Sequence, residues 1–264
     1  MKPNQKMVDR HGVEVALLPM EHWRVTQDVG GSRSHLGAYA IDVGGKIWGG
    51  KGREAVYAPF KCKVVYKTTK YNAVVFQSVE PVKQPFGVSH VFMGLLHDDD
   101  ISDLCVGKVF EQGDLIYQEG TAGSRGQTGV YASHLHLSVA RGTYLSGNPF
   151  FKNSTGGYDM KFAVDPRTVF FANDTIMLNP GIAPWKLFVE LNKPVVGDTV
   201  FIKPTATKWA TGQVISPAVK KNGKRPGPYK IVADGDNPPK GKRYPKGAWL
   251  LAKVNSWVRK VDVE

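Results

Sequence analysis

The segment SHLHLSV, residues 133–139, contains two of the chain's seven histidines, His134 and His136, with one residue between them. Imidazole can bind a metal ion or transfer a proton near neutral pH. Because residues i and i+2 of a strand point to the same face, we expect both imidazoles on one face and Leu135 and Leu137 on the other, towards a core. Both histidines could bind one metal ion, or one could bind it while the other acts on the metal's water. The third alternative is an ordinary strand without a metal.

The segments around this pair favour a metal site. They are a histidine and an aspartate bracketing a turn in SHLGAYAIDV (34–43), a histidine at a strand end in MGLLHDD (93–99), and the glycine-rich loop GTAGSRGQTGVYAS (120–133). Glycines allow the backbone to approach a ligand closely. A catalytic zinc ion commonly takes three nitrogen or oxygen ligands and keeps one position for water. The candidate ligands are His35, Asp42 and His136, and the candidate proton-transfer or charge-stabilising groups are His134 and His97.

The elements that must position these side chains read as strands. A chain with 29 glycines and 17 prolines among many β-branched and aromatic residues favours short strands and turns. The strand-like runs are AIDV (40–43), CKVVY (62–66), AVVFQSV (73–79), VFMGLL (91–96), DLIYQEG (114–120) and HLHLSVA (134–140). They predict a mostly β fold, an antiparallel sheet with long loops. The shorter runs DTVFI, GQVIS, YKIVAD, AWLLAKV and SWVRKVDV near the C-terminus predict a small SH3-like β-barrel.

Histidine and charge are distributed unevenly along the chain. All seven histidines lie in the first 136 residues, whereas residues 196–264 carry 14 Lys and Arg against 5 Asp and Glu. This asymmetry predicts two modules, a domain at 1–172 with the metal-capable groups and a basic domain at 195–264. Residues 173–194, with three prolines and a glycine, are predicted to link them.

The ordered combination of motifs resembles the lysostaphin-like zinc endopeptidases of peptidoglycan. The matching segments are SHLGAYAID, AVYAPFKCKVV (55–65), GLLH (94–97) and GDLIYQEGTAGSRGQTGVYASHLHLSV (113–139), and the resemblance covers roughly residues 20–170. It implies an antiparallel β metallopeptidase domain at 1–172 and one zinc ion per chain. It also implies that the zinc ligands are His35, Asp42 and His136, and that His134 and His97 are catalytic.

The spacing of the first motif departs from this family. Six residues separate His35 from Asp42, where the family usually has three. The resemblance therefore implies a longer loop before the second ligand, and His22 and His90 are the reserve candidates for the first.

The C-terminal part resembles the SH3-like cell-wall-binding domains of phage lysins. The resemblance rests on VGDTV, ATGQ (210–213), YKIV and the closing LLAKVNSWV, and it spans most of residues 195–264. Such domains usually bind peptide or glycan in a groove lined by aromatic side chains. Trp209 and Tyr244, near predicted turns, are the candidate wall-binding residues.

Together these features predict a phage endolysin that hydrolyses peptide bonds in the peptidoglycan of a Gram-positive bacterium. The net charge of +12 favours a polyanionic partner such as anionic wall polymer. We expect a monomer that binds neither nucleic acid nor membrane, because no recognition motif and no long apolar run is visible. We also expect synthesis in the host cytoplasm without a signal peptide, and action on the wall after holin-dependent release.

Three alternatives remain. The longer His35–Asp42 spacing could belong to a catalytically inactive wall-binding protein or a phage tail component. The charge alone would also suit a nucleic-acid-binding protein. A cupin-type metal enzyme also uses a His-x-His pair, but its usual glutamate a few residues later is absent here, where SVAR follows.

Overall fold

The computed structural model describes residues 1–9, 11–47, 52–179, 185–187, 196–197, 199–200, 202, 206–215, 229–240, 242–252 and 255–260. The chain divides into two compact units, Met1–Phe188 and Val189–Glu264. Within the described ranges the chain forms strands and two 3₁₀ helices, and none of its helices is long and apolar enough to cross a membrane. The mostly β fold predicted from the sequence is confirmed.

The two units contain short strands throughout. The strands are β1 (His22–Gln27), β2 (Ala40–Gly44), β3 (Ala55–Tyr57), β4 (Cys62–Thr68), β5 (Ala73–Ser78), β6 (Val82–Gln84), β7 (Gly87–Ser89), β8 (Val91–Leu96), β9 (Val109–Phe110), β10 (Leu115–Gln118), β11 (Leu135–Arg141), β12 (Phe150–Lys152), β13 (Tyr158–Met160), β14 (Ile176–Met177), β15 (Thr199–Val200), β16 (Tyr229–Asp234), β17 (Ala248–Leu251) and β18 (Ser256–Arg259). The 3₁₀ helices are Lys70–Asn72 and Pro166–Thr168.

The first unit is built on one eight-stranded sheet in the order β14-β1-β2-β11-β8-β5-β4-β9. Its neighbouring strands are antiparallel except for the parallel pair of β1 and β14. Each of the six strand-like runs predicted for this part of the sequence corresponds to a strand, β2, β4, β5, β8, β10 or β11. Every residue of β5 and β8 is buried, as expected for central strands covered on both faces.

Two apolar layers cover the two faces of this sheet. On β11, Leu135 and Leu137 enter the main core together with Trp23 and Phe76, as their alternation in the sequence predicts. On the other face, a smaller cluster includes residues of β12 and β13, a hairpin that packs over β8 and β11. This hairpin therefore lies on the face opposite to the main core.

The start of the predicted linker belongs to the first unit. β14 pairs with β1 in register, Ile176 beside His22 and Met177 beside Trp23. Residues 180–184 and 188–194 of the predicted linker lie outside the described residues.

The second unit contains a four-stranded antiparallel sheet in the order β15-β16-β17-β18. Its buried cluster consists of Val200, Ile202, Ala206, Trp209, Ile215, Ile231, Trp249, Leu251 and Val258. The predicted strand GQVIS contributes only an isolated bridge, between Lys208 and Val214. The SH3-like barrel stays a prediction.

Candidate metal centre and active site

The register of the large sheet brings three of the candidate residues together. β11 lies between β2 and β8, and His136 pairs with Asp42 on one side and with Leu96 on the other. His97 follows directly after Leu96, at the end of β8, with a positive φ of 89°. Strand pairing alone therefore places His136 next to Asp42 and close to the backbone of His97.

The six residues between His35 and Asp42 are accommodated by a turn. The amide of Ala38 donates to the carbonyl of His35 at 2.8 Å, and Gly37 takes a φ of +76°, which favours glycine. The chain then enters β2, which carries Asp42. This turn returns the completely buried His35 ring to a position over the sheet.

The side chains of His35, Asp42 and His136 converge on one point. His35 Nε2 lies 3.1 Å from Asp42 Oδ1 and 3.2 Å from His136 Nδ1, and His136 Nδ1 lies 3.0 Å from Asp42 Oδ1. Ligands bound tetrahedrally at ~2.0–2.1 Å from zinc lie roughly 3.3 Å from one another. Two histidine nitrogens and one carboxylate oxygen at this spacing fit a zinc ion, and the residues fill the two-histidine, one-aspartate set predicted from the sequence.

The second oxygen of Asp42 and its ionisation also suit a ligand. Gln27 Nε2 donates to Asp42 Oδ2 at 3.3 Å, which leaves Oδ1 to face the two histidines. Burial alone would raise the pKa of Asp42, but the hydrogen bonds from His136 and His35 hold it well below its ordinary value. The carboxyl group is therefore ionised at neutral pH, as metal binding requires.

The two remaining candidate histidines share one arrangement. His97 Nδ1 lies 2.7 Å from the carbonyl oxygen of Ala122, and His134 Nδ1 lies 2.7 Å from that of Ala132. Since a carbonyl only accepts, each Nδ1 carries the proton and donates it, and each Nε2 is left with a free lone pair. Burial lowers the pKa of both rings, so both are neutral near pH 7 and able to accept a proton.

The imidazoles of His97 and His134 lie side by side near the proposed ligands. Their ring centroids are 4.4 Å apart, and His134 Nε2 is 3.8 Å from Asp42 Oδ1. Gly120 contacts both histidines. Its backbone exchanges two hydrogen bonds with the backbone of His134, and its Cα packs closely against the carbonyl of His97. The glycine-rich segment thus orients both rings.

Two cavities open onto this cluster. One, of about 400 Å³, is lined by His97, His134, His136 and Asp42 together with the aromatic rings of Tyr71, Tyr131 and Tyr158. The other, of about 180 Å³, lies beyond His134 and Asp42. Gln27, Arg33, Asp42 and His134 line both cavities, so both cavities adjoin the candidate metal centre.

Sequence reasoning missed one carboxylate in this cluster. Asp159 on β13 is 1% exposed, and its Oδ1 lies 3.5 Å from His136 Nε2. With His35 and His136 it could form a second metal-binding set. Burial raises the pKa of Asp159, against the attraction of His136 and His35, so it is a poorer ligand than Asp42. The sequence signal that could have indicated Asp159 is an acidic residue between two apolar residues in the short strand YDM.

The reserve histidines lie outside the cluster. His22 Nδ1 is 2.9 Å from Glu54 Oε1, and His90 Nδ1 is 3.3 Å from Ser78 Oγ. Neither belongs to the group of side chains around Asp42.

In the second unit, the structure separates the two candidate wall-binding residues. Trp209 is 9% exposed and packs in the apolar cluster of that unit, which favours a role in the core, and its role in wall binding stays a prediction. Tyr244 is half-buried, with its ring centroid 4.8 Å from that of the half-buried Trp257. This pair, rather than Trp209, offers an aromatic surface.

No protein-family model matches the sequence. Over 137 residues the chain is 31% identical to Morphogenesis protein 1 of Bacillus phage B103, a match that covers 52% of this chain and 35% of that relative. The chain therefore spans about a third of the length of the curated relative that it matches.

Two solved structures are also similar. One is the lytM protein of Ruminococcus gnavus, described as a glycyl-glycine endopeptidase, with 18% identity, 62% of each chain covered and a TM-score of 0.40. The other is the catalytic domain of the antimicrobial peptidase lysostaphin from Staphylococcus simulans, with 17% identity, 56% of this chain and 85% of that chain covered, and a TM-score of 0.28. The side-chain geometry of its own site, rather than these two likenesses, indicates what chemistry this chain can perform.

Proposed function

We propose that this protein is a zinc-dependent endopeptidase that hydrolyses peptide bonds in bacterial peptidoglycan. The observation that carries the proposal is the convergence of His35 Nε2, His136 Nδ1 and Asp42 Oδ1, 3.0–3.2 Å apart, beside two imidazoles that burial keeps neutral. Three ligands with proton-transfer groups next to the open side are what a hydrolytic zinc site requires.

The side chains divide into holding and proton-transfer groups. His35, His136 and Asp42 would hold zinc, which when bound polarises a substrate carbonyl and lowers the pKa of water. Of the two imidazoles outside the ligand set, His134 is the one whose Nε2 lies 3.8 Å from the proposed ligand atom Asp42 Oδ1. This Nε2 is suited to accept the proton of the attacking water. With their rings 4.4 Å apart, His134 and His97 can retain that proton and deliver it to the leaving amine nitrogen.

The two cavities favour cleavage within a chain rather than at its end. Because Asp42 and His134 line both, an extended peptide can occupy space on either side of the scissile bond. The tyrosine-lined cavity would accept one side of the substrate and the smaller cavity the other.

We further propose that residues 195–264 direct the enzyme to the wall. The Lys and Arg excess of this part would attract anionic wall polymers, an effect that weakens as salt rises. The half-buried pair of Tyr244 and Trp257 would contribute an aromatic contact. All proposed site residues belong to one chain, so a monomer suffices.

The experiment that tests this function is digestion of purified sacculi from Gram-positive bacteria, with and without a zinc chelator, followed by mass spectrometry of the products. We expect new amino termini in the untreated sample, their loss with the chelator, and their return when zinc is added back. Intact sacculi from every wall type tested, with zinc-loaded protein, would refute the proposal. The identity of the new termini would also show which bond is cut.

A second candidate function is a structural role in a phage particle without hydrolysis. Its support is the 31% identity to a phage protein named for morphogenesis. Binding of the protein to sacculi with no new amino termini, even with one zinc ion per chain, would favour this role. Release of peptides would favour the endopeptidase, whether it acts as a free endolysin after holin-dependent release or as part of a particle.

A further inference from the structure

The hairpin of β12 and β13 is fastened to the loop that precedes His35. Asn153 Nδ2 donates to the carbonyl of Ser34 and to Asp159 Oδ2, each at 2.5 Å. Asn153 Oδ1 in turn accepts from the amide of Gly157 at 2.8 Å. A Cβ on Gly157 would collide with the carbonyl of Ser34, so the hairpin backbone packs directly on that loop. The same hairpin therefore contacts the loop before His35 and carries Asp159, whose Oδ1 lies 3.5 Å from His136 Nε2.

Asp159 on this hairpin has one carboxylate oxygen without a hydrogen-bond donor. While Oδ2 accepts from Asn153, Oδ1 has no hydrogen-bond partner among the described residues and is fully buried. A buried, unsatisfied carboxylate oxygen is costly. The polar atom facing it is His136 Nε2, at 3.5 Å.

The imidazole of His136 can satisfy this oxygen. Its Nδ1 points at His35 and Asp42, so a metal bound there would occupy Nδ1, and the ring proton would then reside on Nε2. A closure of roughly 0.5 Å brings Nε2–H and Asp159 Oδ1 to the ~3 Å of an ordinary hydrogen bond. Metal-bound histidines generally donate their second ring N–H to a carboxylate, a carbonyl or water, which fixes their tautomer and orientation.

We propose that Asp159 is a positioning residue that accepts the Nε2–H of His136 and thereby holds Nδ1 on the metal. The inference rests on the proposed zinc site but concerns a residue outside the ligand set. Asp159 does not line either of the cavities around the candidate centre, and it faces the ring edge opposite to Nδ1. It therefore acts through His136 rather than on the substrate.

Ser138 is the competing partner and provides the matched control. Its Oγ lies 3.3 Å from the same His136 Nε2, and a hydroxyl can also accept the proton. A carboxylate acceptor makes the stronger hydrogen bond. If Asp159 is the functional partner, removal of the Ser138 hydroxyl has little effect on metal binding.

The test is a zinc-affinity measurement on full-length protein by competition with a chromophoric chelator. In Asp159→Asn, the interaction with Asn153 keeps the amide oxygen at the Oδ2 position, so the NH₂ group faces His136 Nε2 and donor meets donor. We expect zinc affinity to fall about 10–100-fold in Asp159→Asn and by less than about threefold in Ser138→Ala. Asn153→Ala, which frees Asp159 without changing charge, is expected to give an intermediate loss. Thermal unfolding of each metal-free variant shows that it is folded.

A spectroscopic readout separates positioning from general stability. In long-range ¹H–¹⁵N spectra of the zinc-loaded wild type, we expect His136 in the Nε2–H tautomer with metal on Nδ1, and a disturbed pattern in Asp159→Asn. Wild-type affinity in the folded Asp159 and Asn153 variants, or a larger loss in Ser138→Ala, would overturn the inference while leaving the zinc site in place. If the wild type itself binds no zinc, the proposed function fails instead.

Discussion

His136 and Asp42 lie directly opposite each other on the antiparallel strands β11 and β2, with His136 Nδ1 3.0 Å from Asp42 Oδ1. A slip of this register by one residue would turn Leu135 or Leu137 towards the site and His136 towards the core. Burial of both leucines in the main core therefore fixes the position of a candidate ligand. The site is positioned by the same packing that stabilises the sheet.

The two histidines of SHLHLSV should respond differently to truncation. His136→Ala removes a proposed ligand, so we expect loss of the bound zinc and of activity together. His134→Ala removes a proton acceptor only, so we expect about one zinc per chain to remain while kcat falls at least ~100-fold. Atomic spectroscopy of dialysed protein and release of peptides from sacculi measure the two effects. Retention of zinc and activity by both variants would contradict the assigned roles.

Gly120→Ala should impair catalysis without removing a functional side chain. A Cβ at this position would collide with the carbonyl of His97, while the backbone of the same residue pairs with that of His134. Both rings must therefore shift, and a misplacement of ~1 Å can cost about 100-fold in rate. We expect kcat to fall by roughly that factor while zinc affinity stays near the wild-type value, because the backbone hydrogen bonds of Gly120 go to His134 and its closest approach is to His97, neither of which is a proposed ligand. Equal losses of zinc and of rate would show that the glycine supports the whole centre instead.

Most of the fold and the core of the site could be predicted from local patterns. Strand alternation predicted His134 and His136 on one face, and the apolar runs predicted β2, β4, β5, β8 and β11 of the large sheet and β10, but not β1. Asp159 could not be found in this way, because its relation to His136 depends on how a distant hairpin packs over the sheet. The burial of Trp209 could not be predicted from its position near a turn either, because aromatic residues of turns as well as strands can pack in a small core.

The pH profile of the reaction should extend into the acid range. A general base works only when unprotonated, and burial lowers the pKa of both His134 and His97. The acid limb of kcat/KM for a soluble peptide substrate is therefore expected below ~6.5, the ordinary histidine pKa. Steady-state rates between about pH 5 and 8, with zinc occupancy checked at each pH, test this. An acid limb above pH ~6.5 in fully zinc-loaded enzyme would show that the general base is not an imidazole whose pKa burial has lowered.

Tyr244→Ala should weaken wall binding without unfolding the second unit. The ring is half-buried against Trp257 and lies outside the apolar cluster that contains Trp209. Loss of an aromatic contact of ~1 kcal/mol or more corresponds to at least about fivefold weaker binding to sacculi. Trp209→Ala is the contrasting variant, since removal of a buried aromatic ring should lower the free energy of unfolding by about 3–5 kcal/mol. Co-sedimentation with sacculi and chemical denaturation separate the two effects.

Asp98→Asn should alter how stability depends on pH. Burial raises the pKa of Asp98 to about 6, although its carboxylate accepts from the amides of Asp100 and Gln118. The folded state thus binds this proton more tightly than the unfolded state, so the stability it contributes is fully present below pH ~4 and is lost as pH rises through about 6. Asparagine does not titrate. Relative to the wild type, the variant should gain about 2–3 kcal/mol in free energy of unfolding between pH 4 and 8, measured by urea denaturation of metal-free protein.

The neighbouring Asp100 gives the matched control for this prediction. Its exposed carboxylate accepts from the amide of Ser102, and hydrogen bonds from that residue lower its pKa. The sign is therefore reversed, because the folded state releases this proton more readily and gains stability as pH rises. That gain is nearly complete by about pH 4–5, so between about pH 4 and 8 Asp100→Asn should follow the wild type, whereas Asp98→Asn gains stability. A parallel change in both variants would mean that general charge effects, and not the burial of Asp98, set the pH dependence.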